Sequence, residues 1–454
     1  MKYGVGIDIS KGKSTVAILS VAGEVIEEPF EITHDLNGLS FLETRLKEIS
    51  KEDLKIVMEE TGTYHLPVFS YLLENGYFVV SENALKIKKY LDRGLRKAKT
   101  DKKDAYKLAE YCCDNWYKLN KLYENEEIYD NLRFLSRQYI TSIEIQVQEK
   151  VNFSNLCDLL FPGYYQLLDD NTFILGLEVF KKYYHPEIVT NKKQSQFINE
   201  IDKLAKKLGH KGAGITLANK IYNLALNTIS VRPNNKYSQL SAISCADALI
   251  LQIKTSKEII SNMDELAKEL PEYEVINEIS GCGKKLTSRV IAEVGDIRRF
   301  KNAGSLIAYA GLDAPPYQSG QFESTNRHIS KRGNRYLRKT GYEIMKSIKA
   351  SCNENSEIKI YIIKKENEGK AKKVAKIAGL NKFLRQYYGI VKKKYKELEI
   401  WWKIKKWPKK VNFYHEINLY KKINFLYWFI LASFYAYKKK YGTTSCLLRM
   451  LLIV

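Results

Sequence analysis

No C-x-x-C pair occurs in this chain, and its seven cysteines (Cys112, Cys113, Cys157, Cys245, Cys282, Cys352 and Cys446) are odd in number and scattered. Neither a disulfide framework nor a thiolate zinc site is indicated, so the thiols are expected to be reduced and structural. The six histidines, His34, His65, His185, His210, His328 and His415, also lack metal-ligand spacing, which argues against an imidazole-bound metal. Met1 to Asp8 does not show the basic, apolar, small-residue layout of a secretory signal, which points to the cytoplasm. The aromatic run Ile423 to Tyr437 is too short for an uninterrupted membrane span. Acidic residues are in the minority, 52 against 74 lysines and arginines, which leaves a formal charge of +22. An excess of that size and sign implies a large polyanionic partner, nucleic acid before an anionic membrane surface.

What the chain has is length and apolar content. At 454 residues and 45% apolar composition it is globular, with room for two or three full cores. Lys2 to Ile9, Ser14 to Val21 and Glu24 to Ile32 read as extended runs, the last two separated by an Ala22-Gly23 turn, and together they predict an antiparallel meander. Leu39, Leu42, Leu46 and Ile49 have helical spacing. Leu54 to Met58 is a strand, His65 to Asn75 a helix and Tyr77 to Val80 a further strand. That order fits an α/β layer of the ribonuclease-H type.

One more helix follows, and it carries chemistry. Lys99-Thr100-Asp101-Lys102-Lys103-Asp104-Ala105 sets two carboxylates three residues apart on one helical face. Thr100 is placed to cap that helix and Asp101 to meet the positive end of its dipole. Ala105, Leu108, Ala109, Tyr111 and Cys112 continue as its apolar stripe. By itself this pattern also suits a solvated helix neutralised by Lys97, Lys99, Lys102 and Lys103. Upstream, however, Asp8 is embedded in the first strand and Glu59 ends the fourth. In the expected layer Asp8, Glu59, Asp101 and Asp104 converge on one sheet edge, where their repulsion requires a cation. Oxygen ligands without histidine or thiolate select Mg²⁺ or Mn²⁺. The alternative makes Asp8 a turn residue and Glu59 a helix cap.

From about Ile128 the pattern becomes helical, with Ile128, Leu132, Leu135, Tyr139, Ile143, Val147 and Val151 forming one stripe, suited to a coiled-coil arm or to a buried helix. Phe161-Pro162-Gly163 breaks it. Helices over Phe173 to Tyr184, Gln194 to Leu208, Ile215 to Ile229 and Leu240 to Leu270 follow, stopped by Pro271. Then Ser280-Gly281-Cys282-Gly283 precedes another helix. Gly281 and Gly283 suit either a helix-hairpin-helix turn, whose amides approach phosphates, or a plain turn between helices. Ala308 to Gly320 places Ser319 in a small-residue turn, as a candidate nucleophile or a common loop serine. Arg327, Lys331, Arg332, Arg335 and Arg338 lie close behind as candidate phosphate ligands.

These motifs resemble the DEDD transposases of the insertion-sequence family numbered one hundred and ten, relatives of Piv-type DNA invertases. The first half is similar through Gly6-Ile7-Asp8-Ile9-Ser10, Glu59-Glu60-Thr61-Gly62 and the Lys99 to Ala105 stretch. The second half is similar through Ser280 to Gly283, Tyr309-Ala310-Gly311-Leu312, Gln318-Ser319-Gly320 and Ser330-Lys331-Arg332-Gly333-Asn334 with Leu337-Arg338. The resemblance covers about residues 1–395 and implies a RuvC-like domain over residues 1–125, a helical (coiled-coil-like) scaffold over 126–270 and a mainly α transposase domain over 271–395, with residues 396–454 left as an atypical tail outside it.

It further implies Asp8, Glu59, Asp101 and Asp104 as ligands of Mg²⁺ or Mn²⁺ and Ser319 as the residue that attacks DNA and holds it covalently. Donor and target DNA and a structured guide RNA are the implied partners. The implied assembly is a homo-oligomer, dimer or tetramer, with sites shared between subunits, at work on the bacterial nucleoid and independent of membranes. Three features depart from the family pattern. Glu60 adjoins Glu59; Ala314 stands where many members have proline; and the tail, with Trp401, Trp402, Lys405, Lys406, Trp407, Lys409 and Lys410, suits an added nucleic-acid or lipid-surface element or frame-shifted read-through. A metal-dependent nuclease using water, with Ser319 structural, and a non-catalytic nucleic-acid scaffold are the competing readings.

Overall fold

Two periodicities, one of two residues and one near 3.6, organise separate parts of this chain. The computed structural model describes residues 1–60, 62–82, 87, 90, 100–119, 127–210, 212–314, 318–319, 322–323, 328–351 and 354–406. These residues belong to two compact units, Met1–Asn131 and Leu132–Val454.

In the first unit β1 (Tyr3–Ile9), β2 (Lys13–Ser20), β3 (Val25–Thr33), β4 (Leu54–Glu59) and β5 (Val79–Glu82) form one sheet in the order β3-β2-β1-β4-β5. The first three make the expected antiparallel meander, while β4 and β5 run parallel to β1. Strand alternation then sorts residues between two layers. Val5, Ile7, Ile9, Ile56 and Met58 point into a core shared with α1 (Leu36–Leu46) and α2 (Leu66–Glu74). Val57 and Val80, with Ala17 and Leu19, pack on the opposite face against α3 (Asp101–Asp114).

The sequence shows why α3 lies so tightly on β1. A side chain at Gly4 would meet Cys113 Sγ at 2.6 Å, and one at Gly6 would meet the backbone nitrogen of Ala109 at 2.1 Å. Only glycine lets a helix backbone approach a strand that closely. The predicted stripe Ala105, Leu108, Ala109, Tyr111 and Cys112 is buried on this surface. Burial pushes the thiols of Cys112 and Cys113 up, as expected of structural cysteines.

The second unit is helical. The expected continuous stripe on α4 (Glu127–Leu160) is interrupted: Leu132 and Tyr139 are buried, but Val147 and Val151 are 57% and 49% exposed. Phe153, Cys157 and Leu160 replace them in the core, because from Leu135 on the stripe steps by four residues, and each such step overshoots a 3.6-residue turn by about 40°. Those three pack with α5 (Phe173–Lys182), α6 (Pro186–Thr190), α7 (Gln194–Lys207), α8 (Ala213–Leu226) and α9 (Lys236–Ala267). The five residues of α6 show no period by which the sequence could announce them; the side chain of His185 caps this helix.

A second core belongs to α10 (Glu272–Asn277), α11 (Lys284–Val294), α12 (Ala303–Tyr309), α13 (Arg335–Ala350), α14 (Glu357–Asn367) and α15 (Lys372–Lys406). β6 (Gln318–Ser319) and β7 (Phe322–Glu323) form a small antiparallel ribbon between α12 and α13 in sequence. α15 runs unbroken past Lys396, where composition suggested a boundary, and includes Trp401, Trp402, Lys405 and Lys406. Trp407, Lys409, Lys410 and the run Ile423 to Tyr437 lie outside the described residues. Among the described residues no helix is long and apolar enough to cross a membrane.

Candidate active site

Gly4, Gly6 and Asp8 alternate onto the face of β1 that α3 covers. Ile7 lies opposite Met58 in the parallel pairing, so one step further Asp8 lies beside Glu59, with about 4.8 Å between the strands. Glu59 follows Val57 on the α3 face. Glu60 turns to the other face, where its carboxylate accepts from Ser81 Oγ at 3.5 Å. Two adjacent glutamates are thus sent to opposite faces, as strand alternation predicts.

Thr100 caps α3 as expected, its Oγ1 accepting from the Lys103 amide at 3.3 Å, and Asp101 and Asp104 occupy the first turn. The contacts run in step along the two backbones: Gly4 meets Cys113 and Ala109, and Gly6 meets Ala109 and Ala105. The acidic turn of α3 is thus at the Asp8 end of β1. A further carboxylate, Glu82, is one that sequence reasoning misses. It pairs in register with Glu59, and Tyr111 OH donates to it at 3.1 Å. Its signal is the end of the fifth strand, which runs two residues beyond the apolar stretch that closes at Val80.

The donors on this face are all hard oxygens, the kind that binds Mg²⁺ or Mn²⁺. Asp8 and Glu59 share a face and a register, and Asp101 and Asp104 stand at the same end. Among the described residues, no three Asp, Glu, His or Cys side chains are gathered closely enough to hold an ion in this conformation. The donor set fits a divalent ion by chemistry and by face.

The second cluster of candidates is built differently. Ser319 is the last residue of β6, paired with Phe322, and not in a turn as its small neighbours suggested. The segment carrying it is closed at its base by a ladder of backbone bonds. Ser330 N donates to Asp313 O at 2.7 Å, Lys331 N to Gly311 O at 3.0 Å and Asn334 N to Tyr309 O at 2.8 Å. Ser330 Oγ adds a bond of 2.5 Å to Asp313 Oδ1. Close approach explains both glycines of the ladder. A side chain at Gly333 would stand 2.4 Å from Tyr309 O, and one at Gly311, φ 66°, would stand 2.7 Å from Arg338 Nη1.

The basic residues of this segment divide by environment. Lys331, in the left-handed region at φ 53°, Arg332 and Arg335 are exposed. Arg338 instead turns inward, its Nη1 donating to Ala310 O at 2.9 Å and Gly333 O at 3.2 Å, so it holds the ladder. Arg327 lies outside the described residues. Gly281, φ 91°, is a packing glycine: a side chain there would meet the Ile348 backbone nitrogen at 2.8 Å. Gly283 is exposed, with nothing near it, at the start of α11.

Tyr309 is mostly buried. Burial raises its pKa, but the charges of Arg133 and Arg299 and hydrogen bonds from Arg299 and Asn334 outweigh that and leave it below the ordinary tyrosine value.

Comparisons with known proteins agree with this two-part layout. A transposase model of the DEDD type matches residues 5–162. A second model, described as a transposase of the IS116/IS110/IS902 family, matches residues 273–361. The chain is also 23% identical over 367 residues, 80% of its own length and 88% of the relative's, to the insertion element IS116 uncharacterized 44.8 kDa protein of Streptomyces clavuligerus.

Proposed function

Since the chain belongs to the IS116/IS110/IS902 family of insertion-element transposases, we propose that it breaks and rejoins DNA through the Ser319 hydroxyl. In this reading Asp8, Glu59, Asp101 and Asp104 hold Mg²⁺ or Mn²⁺, and a structured RNA chooses the sequence. The observation that carries it is the alignment of Asp8 and Glu59 on neighbouring parallel strands, on the face covered by the helix that begins with Asp101 and Asp104.

When bound, a divalent ion supplies charge neutralisation at a phosphodiester. Ser319 Oγ forms a bond to phosphorus as the deoxyribose oxygen leaves, which conserves the ester for rejoining. Lys331, Arg332 and Arg335, exposed beside the ladder, hold the backbone phosphates of the strand being cut. The net charge of +22 supports a polyanion larger than one duplex site, consistent with DNA and RNA bound together by a homo-oligomer.

The test is covalent trapping on suicide-nicked DNA. A denaturation-resistant adduct formed by the wild type and lost in Ser319→Ala supports the proposal. Cleavage indifferent to Ser319→Ala but abolished by Asp101→Asn would instead assign water as the nucleophile. Absence of cleavage on every substrate, with binding intact, would make the protein a scaffold.

A further inference from the structure

Three carboxylates of the second unit, Glu272, Glu293 and Asp296, are fully enclosed among the described residues, and the middle one is tied to the segment that carries Ser319. Glu293, on α11, is 0% exposed, and three donors converge on it. Ser136 Oγ reaches Oε1 at 2.7 Å, and Arg137 Nη2 and Asn334 Nδ2 reach Oε2 at 3.1 and 2.8 Å. Its carbonyl accepts from Asn334 Nδ2 at 3.2 Å and from Tyr309 OH at 3.4 Å. An enclosed charge persists only where its oxygens are satisfied, and each lost donor leaves a buried group unpaired.

Asn334 is the residue through which this node reaches the ladder. Its Nδ2 is committed to Glu293, which orients Oδ1 to cap α13 by accepting from the Tyr336 and Leu337 amides at 2.9 and 3.0 Å. Its backbone nitrogen is the last rung of the ladder, on Tyr309 O. Tyr309 OH in turn accepts from Asn334 Nδ2 at 3.2 Å. Both sides of the ladder are therefore referred to Glu293, Asn334 to its carboxylate and Tyr309 to its carbonyl, and Ser319 lies in the chain between those two sides.

We propose that Glu293 is a positioning residue: through Asn334 and Tyr309 it sets the base from which the Ser319 segment acts, and so governs the rate of attack on DNA without touching DNA. The proposal rests on Ser319 as nucleophile. A displacement of about 1 Å at a reacting group can cost on the order of 100-fold in rate. The ground-state grip on DNA belongs to exposed cations that Glu293 does not contact.

The experiment measures single-turnover adduct formation, DNA affinity and melting for Glu293→Gln, Asn334→Asp and the double swap. In the swap the amide now on α11 donates to the carboxylate now capping α13, which restores that one bond, while the bonds of Arg137 Nη2 to Oε2 and of Asn334 Nδ2 to the residue 293 carbonyl are not restored. The node keeps one negative charge beside Arg137, and aspartate serves as a helix cap as well as asparagine does. Each single change is expected to slow adduct formation by about 10- to 100-fold with DNA affinity within about twofold, and the swap to recover part of the loss, so that the two losses do not add. Losses that simply add in the double swap would mark Glu293 as a folding residue and overturn the proposal. So would adduct formation at the wild-type rate in Glu293→Gln while Ser319→Ala is inactive. If Glu293→Gln melts too low to assay, the swap, which restores the bond, still decides. Unimpaired adduct formation by Ser319→Ala would instead overturn the nucleophile assignment on which the proposal rests.

Discussion

The acid-bearing unit and the serine-bearing unit place their candidate residues by opposite means. In the first, regular structure does the work: a parallel register sets Asp8 beside Glu59, and a helix pressed onto glycines brings its capped, acidic first turn to the same end. In the second, Ser319 belongs to a ribbon of two short strands whose base is closed by irregular backbone bonds and steadied by a buried carboxylate. Repulsive acids need a rigid frame that holds them at fixed spacing. A nucleophile that must reach, attack and release a polymer suits a segment anchored at its ends.

Perturbing either means should separate them. The largest effect is expected at the acids. Asp8→Asn and Glu59→Gln should remove detectable strand transfer yet leave RNA binding nearly intact, because basic surfaces hold phosphates, whereas Glu60→Gln, on the other face, should transfer at close to the wild-type rate. Strand-transfer assays beside gel shifts check this, and equal loss at Glu59 and Glu60 would refute the facial assignment.

Next comes the frame itself. Gly6→Ala forces a methyl group onto the α3 backbone and should destabilise the first unit by about 3 kcal/mol or more, read as a lowered urea midpoint. The same change at Gly12, which has nothing within 4 Å but a φ of 78°, should cost only about 1 kcal/mol.

In the second unit two arginines three residues apart should behave differently. Arg335→Ala should weaken DNA binding about uniformly across sequences and reduce the salt slope by about one. Arg338→Ala should lower melting, with little change in that slope, because its guanidinium is bonded to Ala310 and Gly333 carbonyls. Identical salt slopes in the two variants would erase the distinction.

The smallest effect is a pH dependence. Arg133 of α4, Arg299 and the Asn334 amide face Tyr309, whose hydroxyl also donates to the Glu293 carbonyl, and the folded pKa lies below the unfolded one. A lowered pKa stabilises the fold once the phenol ionises, so the contribution is present at alkaline pH and is lost as pH falls through the folded value. The stability gap between wild type and Tyr309→Phe should therefore widen as pH rises toward about 10, by melting in matched buffers.

The first unit was legible because its signals are local. Alternation marked the strands, Thr100 and the acids behind it marked the helix, and Gly-x-Gly before Asp8 was in view even though its reason, the seat for α3, was not. That Glu59 and Glu60 face opposite ways followed from strand alternation, whereas which of those faces α3 covers required the sheet. In the second unit the helices could be read by period, but the node could not: Ser136 and Asn334 are 157 and 41 residues from Glu293. Nothing in the chain near Glu293 marks it as the residue they share. Nor does a run of basic residues reveal that Arg338 faces inward while Arg335 faces out.

A stretch tied off at its base is free to change between its ties. Because Asp313 and Ser330 close the segment before the helices on either side begin to pack, lengthening it costs the body of the protein little, about 0.6 kcal/mol per doubling of a flexible loop. Insertions between Asp313 and Ser330 are therefore expected to leave the melting of the helical body nearly unchanged.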